Sequence, residues 1–422
     1  MSNHLANLKL ADVMLRLGPD ENHVCALAST SSKGWQTKLA WNPVDIYRPK
    51  GDYVAGLEAF AKQQQAKERL VIGYLSYDFG ATLHCVALNT DDDLSMPLVF
   101  AASFDNWLEF NSTGALVAAK DVSFASEVDH ILNRPARPLP AKAYEQAFRP
   151  VQSRAKYDQA FAKVQKYITA GDVYQINLAH RLEAATTSSG RDLFCALSET
   201  SRSDFQAFVE DGEFEILSLS PERFIQVKGN VIKTMPIKGT RPRGNTKEED
   251  KELEEDLLTN DKERAELDMI TDLMRNDLGE ICSTGSVKVV NRRVLRAYPT
   301  LWHAHSEIQG SLRADISPMG ALTHVSPGGS ITGCPKKRAI EIIDELEVKR
   351  RGLYTGSIFT VQPDGSLDSN IAIRTVIKKG NQLYLSVGGG IVHDSKQASE
   401  YQESLDKAAS FMVGKDSLGN DI

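Results

Sequence analysis

The sequence predicts an α+β chain in which hairpin-connected antiparallel strands alternate with amphipathic helices. Three observations predict it. Apolar runs are joined by the two-residue turn signals Gly229-Asn230, Asp364-Gly365 and Gly380-Asn381, the signature of β-hairpins. Between such runs lie windows, 154–170 and 262–279 among them, whose apolar residues recur at helical spacing. The composition, 41% hydrophobic and 25% charged, is that of a globular protein with a sizeable core.

The 422 residues allow one large or two to three ordinary domains. A net charge of −7 argues against a general nucleic-acid binder, which needs a basic face, but leaves a small anionic substrate open. Cys25, Cys85, Cys195, Cys282 and Cys334 are scattered with no CxxC pair, as expected of buried thiols in a reducing compartment. The first residues hold no apolar signal core and no run is long enough to span a membrane, so the expected location is the cytoplasm.

Residues 1–135 alternate short β-like runs with a helical window at 54–68, and Asp91-Asp92-Asp93 reads as a solvated acidic loop. Pro135, Pro138, Pro140 and Pro150 interrupt regular structure and suggest a link between an N-terminal half, 1–135, and a region at 145–415, together one body. From Ser153 a helix is expected with Phe161, Val164 and Ile168 on one stripe and Gly171 as its stop. A strand at 173–179 then presents Tyr174, Ile176 and Leu178 on one face and Gln175 and Asn177 on the other. That polar face either lines a cleft or belongs to an exposed edge.

The residues suited to chemistry come next. Glu222 and Lys238 sit near the ends of the runs flanking the Gly229-Asn230 turn, as an acid and a nucleophile or as an ordinary cross-strand ion pair. The charge-dense segment 241–259 reads as a solvated helix. In the following helix Glu263 and Glu266 fall on the stripe of Leu267, Ile270, Leu273 and Met274. Carboxylates on a buried face are costly unless something positive meets them, and a hard divalent cation would do so. Near the C-terminus Glu400, Glu403 and Lys407 form a second stripe beside Tyr401, Leu405 and Ala408, and the two together suggest Mg²⁺. The loop 326–335 enters a helix whose N-terminus favours an anion, yet it matches no nucleotide-binding pattern. Arg374 is expected on a strand, opposite Ile371 and Ile373, holding a ligand carboxylate or a protein acid. Gly388-Gly389-Gly390 is expected to end a strand and admit a ligand close to backbone.

Taken together, SPERF, PIKGTRPRG, ELDMITDLMRNDLGEI, SPGGSITGCPKKRAIEIID, RGLYTGSIF, AIRT and GGGIVHDSKQASEYQE resemble the chorismate-utilising enzymes. The resemblance is dense over 145–415 and thinner over 1–130, where GYLSYDFG is similar to the family's N-terminal strand. It implies two large, mostly antiparallel sheets packed as a sandwich with helices outside. Lys238 stands where anthranilate synthases carry alanine, and Gln175 where the water-adding isochorismate and salicylate synthases carry lysine. The branch so implied aminates chorismate at C4, on the route to 4-aminobenzoate and folate, with ammonia from a separate glutamine amidotransferase subunit or from solution. An anthranilate-forming enzyme and a non-catalytic chorismate- or Mg²⁺-binding regulatory subunit are the alternatives.

The resemblance also implies roles. Glu266 and Glu403 would ligate Mg²⁺ directly and Glu263 and Glu400 through water, the metal holding the ring carboxylate. Tyr354, Arg374 and the N–H groups of a Gly388–Gly390 turn would take the enolpyruvyl carboxylate. Lys407 would complete the charge balance, and His303 and Thr332 would line the ring pocket. Glu222 would protonate the departing hydroxyl and a neutral Lys238 would attack, with Arg241 and Arg243 near enough to depress its pKa. The N-terminal half would offer a tryptophan-sized pocket with 35–43 as its lip.

Overall fold

Local signals set the first elements. In the computed structural model, which describes residues 8–411 apart from 52, 112–115, 120–121, 141–143, 145–146, 202, 299–300 and 409–410, the helix after Ser153 spans Arg154–Ala170. The Ser153 hydroxyl accepts from the Lys156 N–H at its start, and Gly171 ends it at φ +82°, a left-handed conformation glycine adopts without strain. Strands Arg223–Lys228 and Val231–Thr234 pair across Gly229-Asn230 with Lys228 opposite Val231.

The segment after Tyr354, whose turn signals Asp364-Gly365 and Gly380-Asn381 imply three strands, forms four: Ser357–Val361, Leu367–Asn370, Thr375–Lys379 and Gln382–Ile391. The break falls at Ile371–Arg374. There the Ile371 N–H turns aside to the Glu222 carbonyl at 3.1 Å and Arg374 takes φ +48°, which an extended run cannot accommodate. The first two of these strands belong to one sheet and the last two to another.

Among the described residues the chain builds two large sheets whose strand pairs are antiparallel, as the resemblance implied. One runs in the order Gly333–Cys334, Gln175–Ala185, Gln382–Ile391, Thr375–Lys379, Phe214–Ser220, Phe205–Glu210, Cys25–Ala28, Thr37–Ala40, Leu108–Phe110 and Leu116–Ala119. The other runs Ile237–Pro242, Leu301–Ser311, Val231–Thr234, Arg223–Lys228, Leu367–Asn370, Ser357–Val361, Leu70–Leu75, Val99–Phe104 and Asp45–Tyr47. Strands from both sides of the proline-rich segment thus share each sheet.

Side chains of both inner faces, such as Leu27, Ile216, Ile72, Phe100 and Ile358, fill the space between the sheets. Helices Arg154–Ala170, Gly190–Thr200, Lys336–Leu346 and Gln397–Ala408 cover the first sheet, while Tyr53–Gln65, Asp261–Gly279 and Pro318–Val325 cover the second. The Trp35 indole, expected at the lip of a pocket, lies inside the inter-sheet core. It is buried and donates to the Ala28 and Gln206 carbonyls at 2.9 and 3.1 Å.

Three other expectations change. The strand expected at 173–179 spans Gln175–Ala185 and is paired on both sides, so Gln175 and Asn177 are buried, and Tyr174, left outside it, is 69% exposed. Asp91–Asp93 is exposed as expected, but its carboxylates are not left to solvent alone: they form an ion-pair network with Lys349, Arg350 and Arg181. Of the cysteines, Cys85 is exposed, Cys334 half-buried and the others buried, and all are free. Among the described residues no helix is long and apolar enough to cross a membrane.

One buried ion pair ties the layers together. The Arg351 guanidinium donates to Glu347 at 2.9 Å, to the Ile331 carbonyl and the Thr355 hydroxyl at 3.1 Å each, and to the Asn177 carbonyl, while Glu347 accepts from the Ala179 N–H at 2.9 Å. Removing one member of such a pair strands the other charge in a dry environment, at about 3–5 kcal/mol. Arg351→Met is therefore expected to lower the unfolding free energy by about that amount in urea titrations; a loss under about 1 kcal/mol would contradict this role.

Candidate active site

The site begins where the chain passes from one sheet to the other. It leaves the first sheet after Ser220, crosses at Pro221-Glu222 and enters the second at Arg223; it returns through Ile371–Arg374. The two crossings brace each other. The Ser220 hydroxyl donates to the Ile371 carbonyl at 2.7 Å, the Ile371 N–H to the Glu222 carbonyl at 3.1 Å and the Leu219 N–H to the Arg374 carbonyl at 2.8 Å. A residue at a crossing is released from strand alternation, so Glu222 and Arg374 both face a cleft of about 620 Å³. Arg374 was expected on a strand. It precedes one, in a left-handed conformation that is uncommon for a non-glycine residue and tends to mark functional sites.

Lys238 reaches the same cleft by a different device. Its strand, Ile237–Pro242, pairs with Leu301–Ser311, and the register slips between Ile237 and Thr240. Such a bulge re-aims a side chain, and Gly239 within it has φ +85°. A β-carbon at Gly239 would also lie 2.8 Å from Leu257 and 2.9 Å from Glu263. Past the bulge, Thr240 faces His303, its hydroxyl 2.8 Å from Nδ1.

The helices bring the acids. Asp261–Gly279 presents Glu263 and Glu266, half-buried at the cleft edge, and Gln397–Ala408 presents Glu400, Glu403 and Lys407. Tyr354, His303, Gly388, Gly389 and Gly390 complete the expected lining. The glycines lie within strand Gln382–Ile391, paired with Ala179, Leu178 and Asn177, and do not form the expected turn. Their value is room: a β-carbon on Gly389 would stand 3.3 Å from Glu400 and 3.6 Å from Lys407, and one on Gly390 3.2 Å from the Gln175 amide and 3.4 Å from the Lys238 ammonium nitrogen.

Several expected members stand elsewhere. Gln175 is not among the lining residues, although its amide lies on the side of Gly390 where a β-carbon would also meet the Lys238 ammonium. Thr332 is fully buried and spends its hydroxyl on the Gly328 carbonyl at 2.8 Å, so Ser330 and Ile331 line the cleft in its place. The short helical turn Gly329–Ile331 thus meets the cleft, and the N-terminus of Lys336–Leu346, the expected anion site, does not. Arg243 is held by Asp250 at 2.6 Å and stacks on Trp302, away from Lys238. Arg241 reaches the cleft but is paired with Asp256 and Glu263 at 2.6 and 3.1 Å. Among the described residues neither Glu222, Lys238 nor Arg374 makes an ion pair within 4 Å, which removes the cross-strand-pair reading of Glu222 and Lys238 and the protein-acid reading of Arg374.

Burial sets the protonation states. It pushes the Glu222 carboxyl up to about 7, against Lys238 and Arg374, so the side chain can hold a proton at neutral pH. Burial lowers His303 to about 4, helped by Arg374, and raises the Tyr354 phenol to about 12, leaving both neutral. The Arg374 guanidinium is lowered by burial and partly restored by Glu222; it remains a cation.

Burial also raises Glu266, opposed by Lys238 and Lys262, and raises Glu400 despite a 2.7 Å hydrogen bond from Ser395. For Glu403 partial enclosure acts upward, but its 2.8 Å contact with Lys407 wins and the net shift is down. Among the described residues no three His, Cys, Asp or Glu side chains form a ready metal cage. Mg²⁺ does not require one, since one or two carboxylates, waters and a substrate oxygen suffice. Glu266 and Glu400, raised by enclosure and facing one cleft, are hard oxygen donors of that kind.

The cleft also contains Asn177, on the strand face expected either to line a cleft or to be exposed, and three groups absent from the sequence expectations: Ser386, Lys262 and Asp406. Asn177 had that signal because it shares the polar face of its strand with Gln175, and its side chain is close enough to the Tyr354 phenol to act on it by hydrogen bonding. Lys262 and Asp406 had none beyond lying next to or near the acids.

Comparison with known proteins places these residues in a context. Residues 25–413 match the model of the chorismate binding enzyme family. The chain is 36% identical to aminodeoxychorismate synthase component 1 of Bacillus subtilis (strain 168) over 355 residues, 80% of this chain and 75% of that protein. It is 35% identical to anthranilate synthase component 1 1 of Haloarcula marismortui over 368 residues, 82% of this chain and 75% of that protein. Among solved structures, anthranilate synthase component I from Streptococcus pneumoniae TIGR4 superimposes with a TM-score of 0.79 at 28% identity, covering 89% of this chain and 92% of that one.

The raised Glu222 carboxyl carries a thermodynamic signature. In the unfolded chain it ionises near 4.5 and in the folded protein near 7, so between those values folding binds a proton and stability falls as pH rises. Glu222→Gln removes that slope. In urea titrations the variant should match wild type near pH 4.5 and exceed it at pH 8; an equal difference at both would show that the carboxyl is not raised.

Proposed function

The chain belongs to the chorismate binding enzyme family, and on that premise we propose that this chorismate-utilising enzyme aminates chorismate at C4, as an aminodeoxychorismate synthase component 1. The observation that carries the reading is the shared cleft of a buried, protonatable Glu222 and the bulge-presented Lys238, neither of them ion-paired among the described residues. The relatives named aminodeoxychorismate synthase component 1 support it, as does Lys238 itself, which stands where anthranilate synthases resemble one another in carrying alanine.

In this reading Arg374 and the neutral Tyr354 phenol hold the enolpyruvyl carboxylate, the first by charge and the second by donating a hydrogen bond. Glu266 and Glu403, with Glu400 beside them, would hold Mg²⁺, whose charge neutralises the ring carboxylate. Glu263 is taken by Arg241 and reaches that set only by leaving it. The Lys238 amine, in its neutral form, bonds to ring C2; the two ring double bonds each shift one position and the C4–O bond breaks. Glu222 gives its proton to the departing oxygen, which leaves as water. Ammonia then bonds to C4, the double bonds shift back, and Lys238 leaves as the neutral amine. The new ammonium at C4 returns a proton to Glu222, which balances the cycle. We infer that the ammonia comes from a separate glutamine amidotransferase subunit or from solution, and that the product feeds 4-aminobenzoate and folate synthesis in the cytoplasm.

The test is product identity. With chorismate, Mg²⁺ and ammonium the enzyme should release 4-amino-4-deoxychorismate, its enolpyruvyl group retained, and Glu222→Gln should lower kcat/KM by about 10²–10⁴. Release of anthranilate and pyruvate would make it an anthranilate synthase, and no turnover would leave a binding subunit. A ring adduct seen by intact mass that persists in Lys238→Ala would exclude the lysine step.

A further inference from the structure

Each acidic helix at the cleft carries its own cation. On Asp261–Gly279 the Lys262 ammonium stands 3.8 Å from Glu266, four residues on. On Gln397–Ala408 Lys407 stands 2.8 Å from Glu403, at the same spacing. Both lysines line the cleft, but they are held differently. Lys407 also donates to the Gly388 carbonyl at 2.9 Å, so it is anchored to the sheet. The Lys262 side chain is 63% exposed and is tied to the cleft by its charge. That charge acts on Glu266 and, across the cleft, on Glu400 and Glu403.

The charge balance gives this a consequence. Five basic side chains line the cleft, and with Glu222 holding its proton five acidic ones face them, so the site is balanced, or one charge negative when Lys238 is the neutral amine of the proposed step. A divalent cation arriving among these acids leaves the site net positive in either case unless a resident cation withdraws. Lys238 and Arg374 face inward and cannot withdraw, Arg241 bridges two carboxylates, and Lys407 is anchored. Lys262 alone among the five is mostly exposed, so it can move its ammonium into water while its aliphatic stem stays on the helix.

We propose that Lys262 is a tethered competitor for the divalent cation: it neutralises Glu266 in the metal-free protein, swings out to solvent when the ion binds, and so sets the ion's affinity. The inference rests on the assignment of Glu266 to the metal. A site weakened in this way keeps little metal by itself and gains it with a substrate carboxylate that supplies further negative charge.

The test uses the metal without substrate. Free Mn²⁺, a hard cation that accepts the same carboxylate ligands, is counted by electron paramagnetic resonance during titration of wild type, Lys262→Met, Lys262→Arg and Glu266→Gln. Lys262→Met should bind Mn²⁺ about three- to fivefold more tightly at low salt, the ratio that corresponds to an exposed ion pair. The gain should shrink at high salt, Lys262→Arg should match wild type and Glu266→Gln should lose binding. Equal or weaker binding by Lys262→Met, with its thermal midpoint unchanged, would overturn the proposal; weaker binding with a lowered midpoint would do so too, by reducing Lys262 to a helix-stabilising residue. If wild type and Lys262→Met both fail to bind Mn²⁺, the metal assignment falls with this inference, while the identity of the product with chorismate and ammonium stands or falls separately.

Discussion

The double crossing between the sheets is the constraint on which the cleft depends. Two strands that are neighbours in one sheet continue as neighbours in the other, Phe214–Ser220 beside Thr375–Lys379 and then Arg223–Lys228 beside Leu367–Asn370. The chain can do this only by leaving both ladders at the same place. The backbone groups freed there bond to each other and to the Ser220 hydroxyl, so the crossings cost few unsatisfied groups. What they release from alternation are two side chains, Glu222 and Arg374, which a continuous strand would have committed to one face. The bulge at Lys238 and the two flanking helices then deliver their groups to the same gap.

Desolvation does the rest of the sorting. A dry cleft penalises every charge, but unequally, since the groups differ in how easily they become neutral. Glu222, His303 and Tyr354 all move toward their uncharged forms, whereas Arg374 is lowered yet cannot give up its proton near neutral pH. The result is a proton donor, neutral hydrogen-bonding groups and one fixed cation in the same space, which suits a carboxylate-bearing substrate whose hydroxyl must leave. The acids at the mouth answer to a different rule. Glu266 and Glu403 carry lysine partners and Glu263 an arginine, while enclosure raises Glu266 and Glu400, so each acid is set by its neighbour as much as by burial.

Much of this was legible in the sequence, for identifiable reasons. The helix Arg154–Ala170 was marked at both ends by residues with a capping chemistry, and the Gly229-Asn230 hairpin by its turn. Glu222, Lys238, Arg374 and the four helix acids were visible because charged groups beside prolines, glycines or apolar stripes demand a partner. What pattern alone could not give was the change of sheet. Ile371–Arg374 reads as a continuing strand because its apolar residues keep alternating; the left-handed Arg374 that ends it has no sequence signal. The same limit explains Thr332 and Gly388–Gly390. Polarity and flexibility suggested ligand contacts, whereas the structure spends the hydroxyl on a carbonyl and keeps the glycines in a ladder, where they supply room. Ion pairing was equally unreadable. Asp91–Asp93 found partners far along the chain, in Arg181, Lys349 and Arg350, while Glu263 and Arg243 found nearer ones, Arg241 and Asp250, that no spacing rule singles out.

In the proposed function Arg374, which makes no ion pair among the described residues, is the cation that takes a ligand carboxylate. Calorimetric titration of chorismate into wild type and Arg374→Met, both shown to be folded by circular dichroism, tests this most directly. Losing a buried charge partner costs about 2 kcal/mol or more, so affinity should fall at least about thirtyfold. Wild-type affinity in the folded variant would show that the double crossing does not build the substrate site.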